Sequence, residues 1–176
     1  MKYPWSCLRT GLLASTAGLF AGTVGMSAFQ QDAPVQFSNI AEKAGINFRH
    51  ENGATPEKYL PETMGAGGLF FDYNNDGWLD IFLVNGGSFK DTGKAARARH
   101  GLYRNIGEGV FKDEAASSGI EVFGFGMGGC SADYDNDGWA DLYLTGTTEN
   151  RLYHNNSKGS FTDVTRTAGV AAGCRG

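Results

Sequence analysis

Two short stretches of this chain carry enough oxygen donors, at the right spacing, to hold a hard cation. In Asp133-Tyr-Asp-Asn-Asp-Gly-Trp-Ala-Asp141 the side chains of Asp133, Asp135, Asp137 and Asp141 fall at positions 1, 3, 5 and 9. Gly138 at position 6 permits a sharp turn, and the backbone carbonyl of Trp139 is available at position 7. Oxygen donors without His or Cys favour Ca2+ over transition metals, and a flexible loop suits Ca2+ better than the strict octahedron of Mg2+. Carboxylates packed this tightly would repel one another without a cation. Asp72, Asn74, Asp76, the Trp78 carbonyl and Asp80 repeat the pattern with one carboxylate fewer, so Ca2+ should bind more weakly there. Affinities of about 10⁻⁴ to 10⁻³ M, those of extracellular modules, are expected. An EF-hand shares the first half of the pattern but needs a bidentate Glu at position 12 between helices. Here position 12 is Leu83 or Leu144, inside an apolar run, which leaves Asp80 and Asp141 to act as ligands instead. The alternative reading is a pair of Asp/Asn-rich turns closed by side-chain-to-backbone hydrogen bonds.

The elements that position these loops are themselves repeated. The two nine-residue stretches agree at seven positions. Gly65-x-Gly67-Gly68 precedes the first as Gly126-x-Gly128-Gly129 precedes the second, and Ile81 to Val84 follows as Leu142 to Thr145 does. Further on, Leu102-Tyr103-Arg104-Asn105 matches Leu152-Tyr153-His154-Asn155, and Phe111 to Ile120 matches Phe161 to Val170. The first copy is the longer one, with its extra residues in the polar stretch Gly86 to Gly101. Each unit reads as four short strands: one ending at the first loop Asp, one after the loop, one at Leu-Tyr-x-Asn and one at Phe-x-Asp. Such a unit suits a four-stranded antiparallel blade. A β-sandwich is the alternative, but it does not require near-identical loops at a fixed period. A third copy of the last element, Phe37 to Ile46, precedes the first loop, and its Phe37–Ile40 part is predicted to form a leading outer strand. The expected architecture is therefore all-β: a partial β-propeller of two blades, about residues 64–120 and 125–172, plus that strand.

Composition agrees with this architecture. Twenty-seven Gly against 4 Pro, with no collagen-like period, point to many tight turns. With 41% apolar and 19% charged residues, disorder and a coiled coil are excluded. The net charge of -4 disfavours nucleic acid or an anionic membrane surface as a partner. Lys2 and Arg9 precede an uncharged, moderately apolar stretch from Thr10 to Gln31, which reads as a secretory signal over residues 1–30 or as a retained N-terminal anchor. Either way residues 31–176 are expected outside the cell or in the periplasm, where Cys130 and Cys174 could pair or stay free.

The motifs Gly-x-Gly-Gly, Asp-Tyr-(Asp/Asn)-Asn-Asp-Gly-Trp-x-Asp, Leu-Tyr-x-Asn and Phe-x-Asp together resemble FG-GAP/VCBS repeats, the blades of integrin-α-type propellers. The resemblance covers roughly residues 36–172. Asn47-Phe48-Arg49-His50-Glu51-Asn52-Gly53 and Lys58 to Gly65 look like the start of secreted proteins of the cartilage acidic protein type, many of which continue into an ASPIC/UnbV module. The resemblance implies a seven-bladed propeller with Ca2+ in its blade loops, an extracellular setting and a role in adhesion or other binding. Its ligand positions map onto Asp72, Asn74, Asp76, Trp78 and Asp80, and onto Asp133, Asp135, Asp137, Trp139 and Asp141.

Other chemistry finds less support. The glycine runs lack the helix and Lys-Ser/Thr of a phosphate-binding loop and read as blade packing. His50, His100 and His154 are scattered, without a zinc-protease spacing, and read as surface or hydrogen-bonded residues. There is no nucleophile elbow, and the Asp residues that could pair as acid and base belong to the loops. The reading is a binding module for an extracellular protein or glycan, against a propeller-based enzyme whose catalytic residues lie elsewhere. Trp78 and Trp139 read as repeated packing residues rather than a sugar platform. The insertion Ser88 to His100 holds Lys90, Lys94, Arg97 and Arg99, a candidate contact for an acidic partner. Two blades are too few to close a propeller, so the chain reads as part of a longer one, with open edges that favour self-association.

Overall fold

A computed structural model describes residues 35–87, 98–121, 124–157 and 159–171. The chain divides into two units, Met1–Phe37 and Ser38–Gly176, and both sheets belong to the second. The first sheet contains β1 (Gly68–Phe71), β2 (Asp80–Leu83), β3 (Gly101–Asn105) and β4 (Phe111–Asp113), and the second β5 (Gly126–Ala132), β6 (Asp141–Gly146), β7 (Arg151–Asn155) and β8 (Phe161–Asp163). Each is a four-stranded meander in sequence order, antiparallel throughout. The fold is all-β, two blades of a partial propeller. Among the described residues the helical content is a single turn, α1 (Leu60–Thr63).

The core lies between the sheets. Phe71, Phe82, Val84 and Leu102 come from the first copy, Leu142, Leu144, Tyr153 and Phe161 from the second, and Tyr73 joins them from the first loop. Phe82 and Val84, like Leu142 and Leu144, are two residues apart, so the strand period of two puts them on one face. The rings of Phe71 and Phe161 lie 6.0 and 6.1 Å from that of Tyr73. These spacings fall within the favoured range for tilted aromatic pairs.

The glycine runs are where the blades meet. The Gly67 N–H donates to the Met127 carbonyl at 2.8 Å, and a Cβ on Gly67 would stand 3.2 Å from the Gly128 Cα. Backbone approaches backbone with no room for a side chain between, as the blade-packing reading requires.

A second junction recurs. After β4 the chain turns at 115–119, and the Ser118 carbonyl accepts the Phe161 N–H of β8 at 2.6 Å. Ahead of the first blade, the turn at 41–45 does the same for β4: the Ala44 carbonyl accepts the Phe111 N–H at 2.8 Å. This is the third copy of the Phe-x-Asp element. Its turn docks, but the leading strand expected at Phe37–Ile40 does not form. Phe37 is 97% exposed and Ile40 58%. A strand needs a sheet edge to pair with, and none of the described residues offers one ahead of this copy.

Between that turn and β1, residues 46–67 are held by polar side chains. The Glu62 carboxylate, 5% exposed, accepts both the N–H and the hydroxyl of Thr55 at 2.9 and 2.7 Å. Asn85, just after β2, receives the N–H groups of Glu51 and Gly86 on Oδ1 and donates through Nδ2 to the Arg49 and Arg99 carbonyls. The Asn85 N–H in turn donates to Nδ1 of His100, and burial pushes this imidazole down to about 4.

The signal expected over 1–30, the basic residues Lys90, Lys94 and Arg97, and Cys174 with its pairing to Cys130 lie outside the described residues. Cys130 itself is exposed on β5. No described helix is long and apolar enough to cross a membrane.

Candidate metal centre

Each loop joins the first two strands of its sheet, and both fold on one plan. Oδ1 and Oδ2 of Asp72 accept the N–H groups of Asp76 and Gly77 at 3.1 and 2.8 Å. Asp133 takes those of Asp137 and Gly138 at 3.1 and 2.9 Å. Asp76 and Asp137 then accept the N–H of Trp78 and Trp139, both at 2.9 Å. Two positions per loop have positive φ: Asn75 (55°) and Gly77 (85°), then Asn136 (59°) and Gly138 (89°). Gly and Asn are the residues that tolerate this conformation, so the fourth position, like the sixth, is set by backbone geometry.

The ninth position has a second role that the spacing did not reveal. Asp80 and Asp141 are 0% and 1% exposed. Asp80 closes its loop by accepting the Tyr73 N–H at 3.2 Å and anchors it to β3 through the Asn105 N–H at 2.7 Å. Asp141 does the same with Tyr134 at 3.1 Å and Asn155 at 2.7 Å. Burial pushes the Asp80 carboxyl up to about 6, against those two N–H bonds and with the help of the nearby Asp76 and Asp72 charges. Each carboxylate oxygen retains a further lone pair, so anchoring does not exclude ligation.

The loops differ in how far their carboxylates converge. In the second, oxygens of Asp133, Asp135 and Asp141 lie within 4.8 Å of one another. Two oxygens on one Ca2+ stand no more than about twice the Ca2+–oxygen distance of 2.3–2.6 Å apart, so this spacing is compatible with all three sharing one cation. In the first loop the acidic groups are not gathered to this spacing among the described residues. The Asn74 amide turns its nitrogen to Asp76 Oδ2 at 2.9 Å, and its oxygen accepts the Asp76 N–H. The donor set thus fits a hard cation well at the second loop and less well at the first. Trp78 is 55% exposed and therefore is not the packing residue its repetition indicated.

One residue the sequence reading passed over stands at the second loop. His154 Nδ1 lies 3.3 Å from both Asp135 Oδ2 and Asp141 Oδ1, and its ring meets Tyr134 edge-on. The available signal was alignment: Arg104 holds this place in the first copy, and it faces Glu114 at 3.8 Å instead. His100, by contrast, is buried and accepts a hydrogen bond. Glu114 also accepts the Tyr73 hydroxyl at 2.7 Å. Burial works against the charge on Glu114, but hydrogen bonds from Tyr73 and Lys112 and the Arg104 charge hold it below its usual range.

The two loops touch. Asn75 Nδ2 donates to the Gly138 carbonyl at 2.9 Å. Asn155 Nδ2, fully buried, donates to the Tyr73 carbonyl at 2.8 Å and to that of Ala140 at 3.0 Å.

Neither the curated proteins nor the solved structures contain a match to the chain. The FG-GAP-like repeat family matches residues 72–144 and again 133–175, each match starting at the first aspartate of a loop. Together the two matches span more than half of the sequence, and the chain belongs to the FG-GAP-like repeat family.

Proposed function

We propose that this chain is an exported Ca2+-binding propeller module with a role in adhesion or in binding an extracellular protein or glycan, and that it is akin to secreted proteins of the cartilage acidic protein type. The convergence of Asp133, Asp135 and Asp141 oxygens within 4.8 Å of one another carries the cation part of this reading. Hard oxygen donors at that spacing, in a loop closed by its own backbone, suit Ca2+. The ligands are Asp133, Asp135, Asp137, Asp141 and the Trp139 carbonyl, with Asp72, Asn74, Asp76, Asp80 and the Trp78 carbonyl as a weaker set.

Support for a binding role comes from what stands on the loops. Trp78, Leu79 and Tyr134 are 55%, 57% and 49% exposed, large apolar groups displayed beside the carboxylates. Exposed apolar groups rimmed by polar ones are typical of interaction sites. The signal-like stretch over residues 1–30 supports export. Open edges on both blades would also favour self-association.

Calorimetric titration with Ca2+ tests the reading. Wild type should bind two ions, and Asp76→Ala and Asp137→Ala should each lose one. An unchanged stoichiometry in both variants would rule the loops out as cation sites.

A further inference from the structure

The buried polar groups between the blades form a continuous path from one loop to the other. Asp80 Oδ2 accepts the Tyr73 N–H at 3.2 Å, the Tyr73 carbonyl accepts Asn155 Nδ2 at 2.8 Å, and the Asn155 N–H reaches Asp141 Oδ1 at 2.7 Å. All four residues are 1% exposed or less. The path therefore joins the ninth-position aspartates of the two loops without passing through solvent. The bond from Asn75 to the Gly138 carbonyl ties the same loops a second time at the surface.

Comparison of the copies isolates the residue responsible. Asn105 repeats every in-blade bond of Asn155. Its N–H goes to Asp80 at 2.7 Å, its Nδ2 to the Leu79 carbonyl at 3.1 Å, and its Oδ1 receives the Gly107 N–H at 2.9 Å. Asn155 makes the matching three, to Asp141, from Nδ2 to Ala140 and from Ser157 to Oδ1. What Asn155 adds is the bond across the blades to Tyr73.

We propose that the two loops take up divalent cations as a coupled pair, and that Asn155 is the positioning residue that couples them. The inference rests on the reading of the loops as cation sites. A ligated Asp80 fixes the carboxylate that holds the Tyr73 peptide, the Tyr73 carbonyl fixes the Asn155 amide, and the Asn155 backbone sets Asp141. Ordering one loop thereby removes part of the ordering cost of the other, the condition for positive coupling, and the coupling is reciprocal.

The experiment is calorimetry with Ca2+ alone. Asp137→Ala isolates the first site and Asp76→Ala the second. The product of the two wild-type association constants, divided by the product of these isolated constants, is the coupling factor. It should be about 5 or more, in the ordinary range for coupled sites. In Asn155→Ser, measured in the same three backgrounds, it should fall toward 1. Asn155→Thr keeps the backbone N–H and a hydroxyl acceptor for Ser157 and fills more of the buried site, so it serves if the serine variant does not fold. A purely structural role would weaken both sites without changing this ratio. A wild-type factor near 1 overturns the proposal, as does a factor undiminished in the Asn155 variants. Absence of Ca2+ binding in the wild type would instead overturn the underlying reading of the loops.

Discussion

Gly119 lies so close to the Phe161 carbonyl that a Cβ on it would stand 2.5 Å from that oxygen, at a φ of 77°. Gly45 repeats the relationship against Phe111, also at 2.5 Å. Gly169, the third glycine of the series, has positive φ and no atom within 4 Å of such a Cβ. Gly169→Ala should cost only the backbone strain of that conformation, about 1–2 kcal/mol. Gly119→Ala adds a collision with main chain, and should lower stability by about 3 kcal/mol or more. Urea unfolding of the two variants decides: equal midpoints would show that the close approach contributes nothing.

Asn85 is the fastener of the segment ahead of the first blade, with two N–H groups on its oxygen and two carbonyls on its nitrogen. Asn85→Ala leaves these groups without a partner, at about 1–3 kcal/mol for each one that stays buried. The expected result is a melting temperature lower by several degrees and faster protease cleavage within residues 46–65. A variant melting with the wild type would remove Asn85 from this role.

His100 and Asp80 make opposite contributions to the pH dependence of the cation-free protein. The folded His100 titrates near 4 rather than 6.5, so it binds its proton more readily when unfolded. Its contribution is fully present above pH 6.5 and is lost as pH falls toward 4. Asp80 titrates near 6 instead of 3.8, so its contribution is lost as pH rises between those values. The two contributions therefore oppose each other between pH 4 and 6. In His100→Gln, melted in chelator, the His100 contribution is gone, and stability should fall less, or rise more, between pH 6 and 4 than in the wild type. A profile parallel to that of the wild type would contradict the assignment.

The loops differ by one ligand, and exchanging it should exchange their affinities. Asp135→Asn gives the second loop the donor set of the first, and its Ca2+ dissociation constant should rise about tenfold, or about 1.4 kcal/mol. Asn74→Asp should strengthen the first loop in the same measure. Titration calorimetry reads both, and unchanged constants would place the ligand at position 3 outside the coordination sphere.

Strands and loops were legible because they are written locally. The apolar runs of β2 and β6, the Leu-Tyr-x-Asn of β3 and β7, and the glycines where β1 meets β5 each appear twice, and repetition separates pattern from chance. Partnerships were less legible. Nothing in the spacing of Asp80 or Asp141 says that their oxygens also hold the backbone of Asn105 and Asn155, because those partners come from another strand. His154 looked like a scattered histidine for the same reason. Phe37–Ile40 carries a strand pattern but forms no strand, since a strand is a property of a pair and only its following turn finds a partner.

The turns at 41–45 and 115–119 each hold the last strand of the blade that follows them in the chain. Such a fastening has a polarity. The last strand of each blade, already paired within its own sheet, gains a further bond from the segment before it, which favours folding from the N-terminal side onward, the order in which a ribosome delivers the chain. Damage should spread the same way: loosening 115–119 leaves β8 held by β7 alone, whereas loosening β8 leaves the first blade fastened by 41–45.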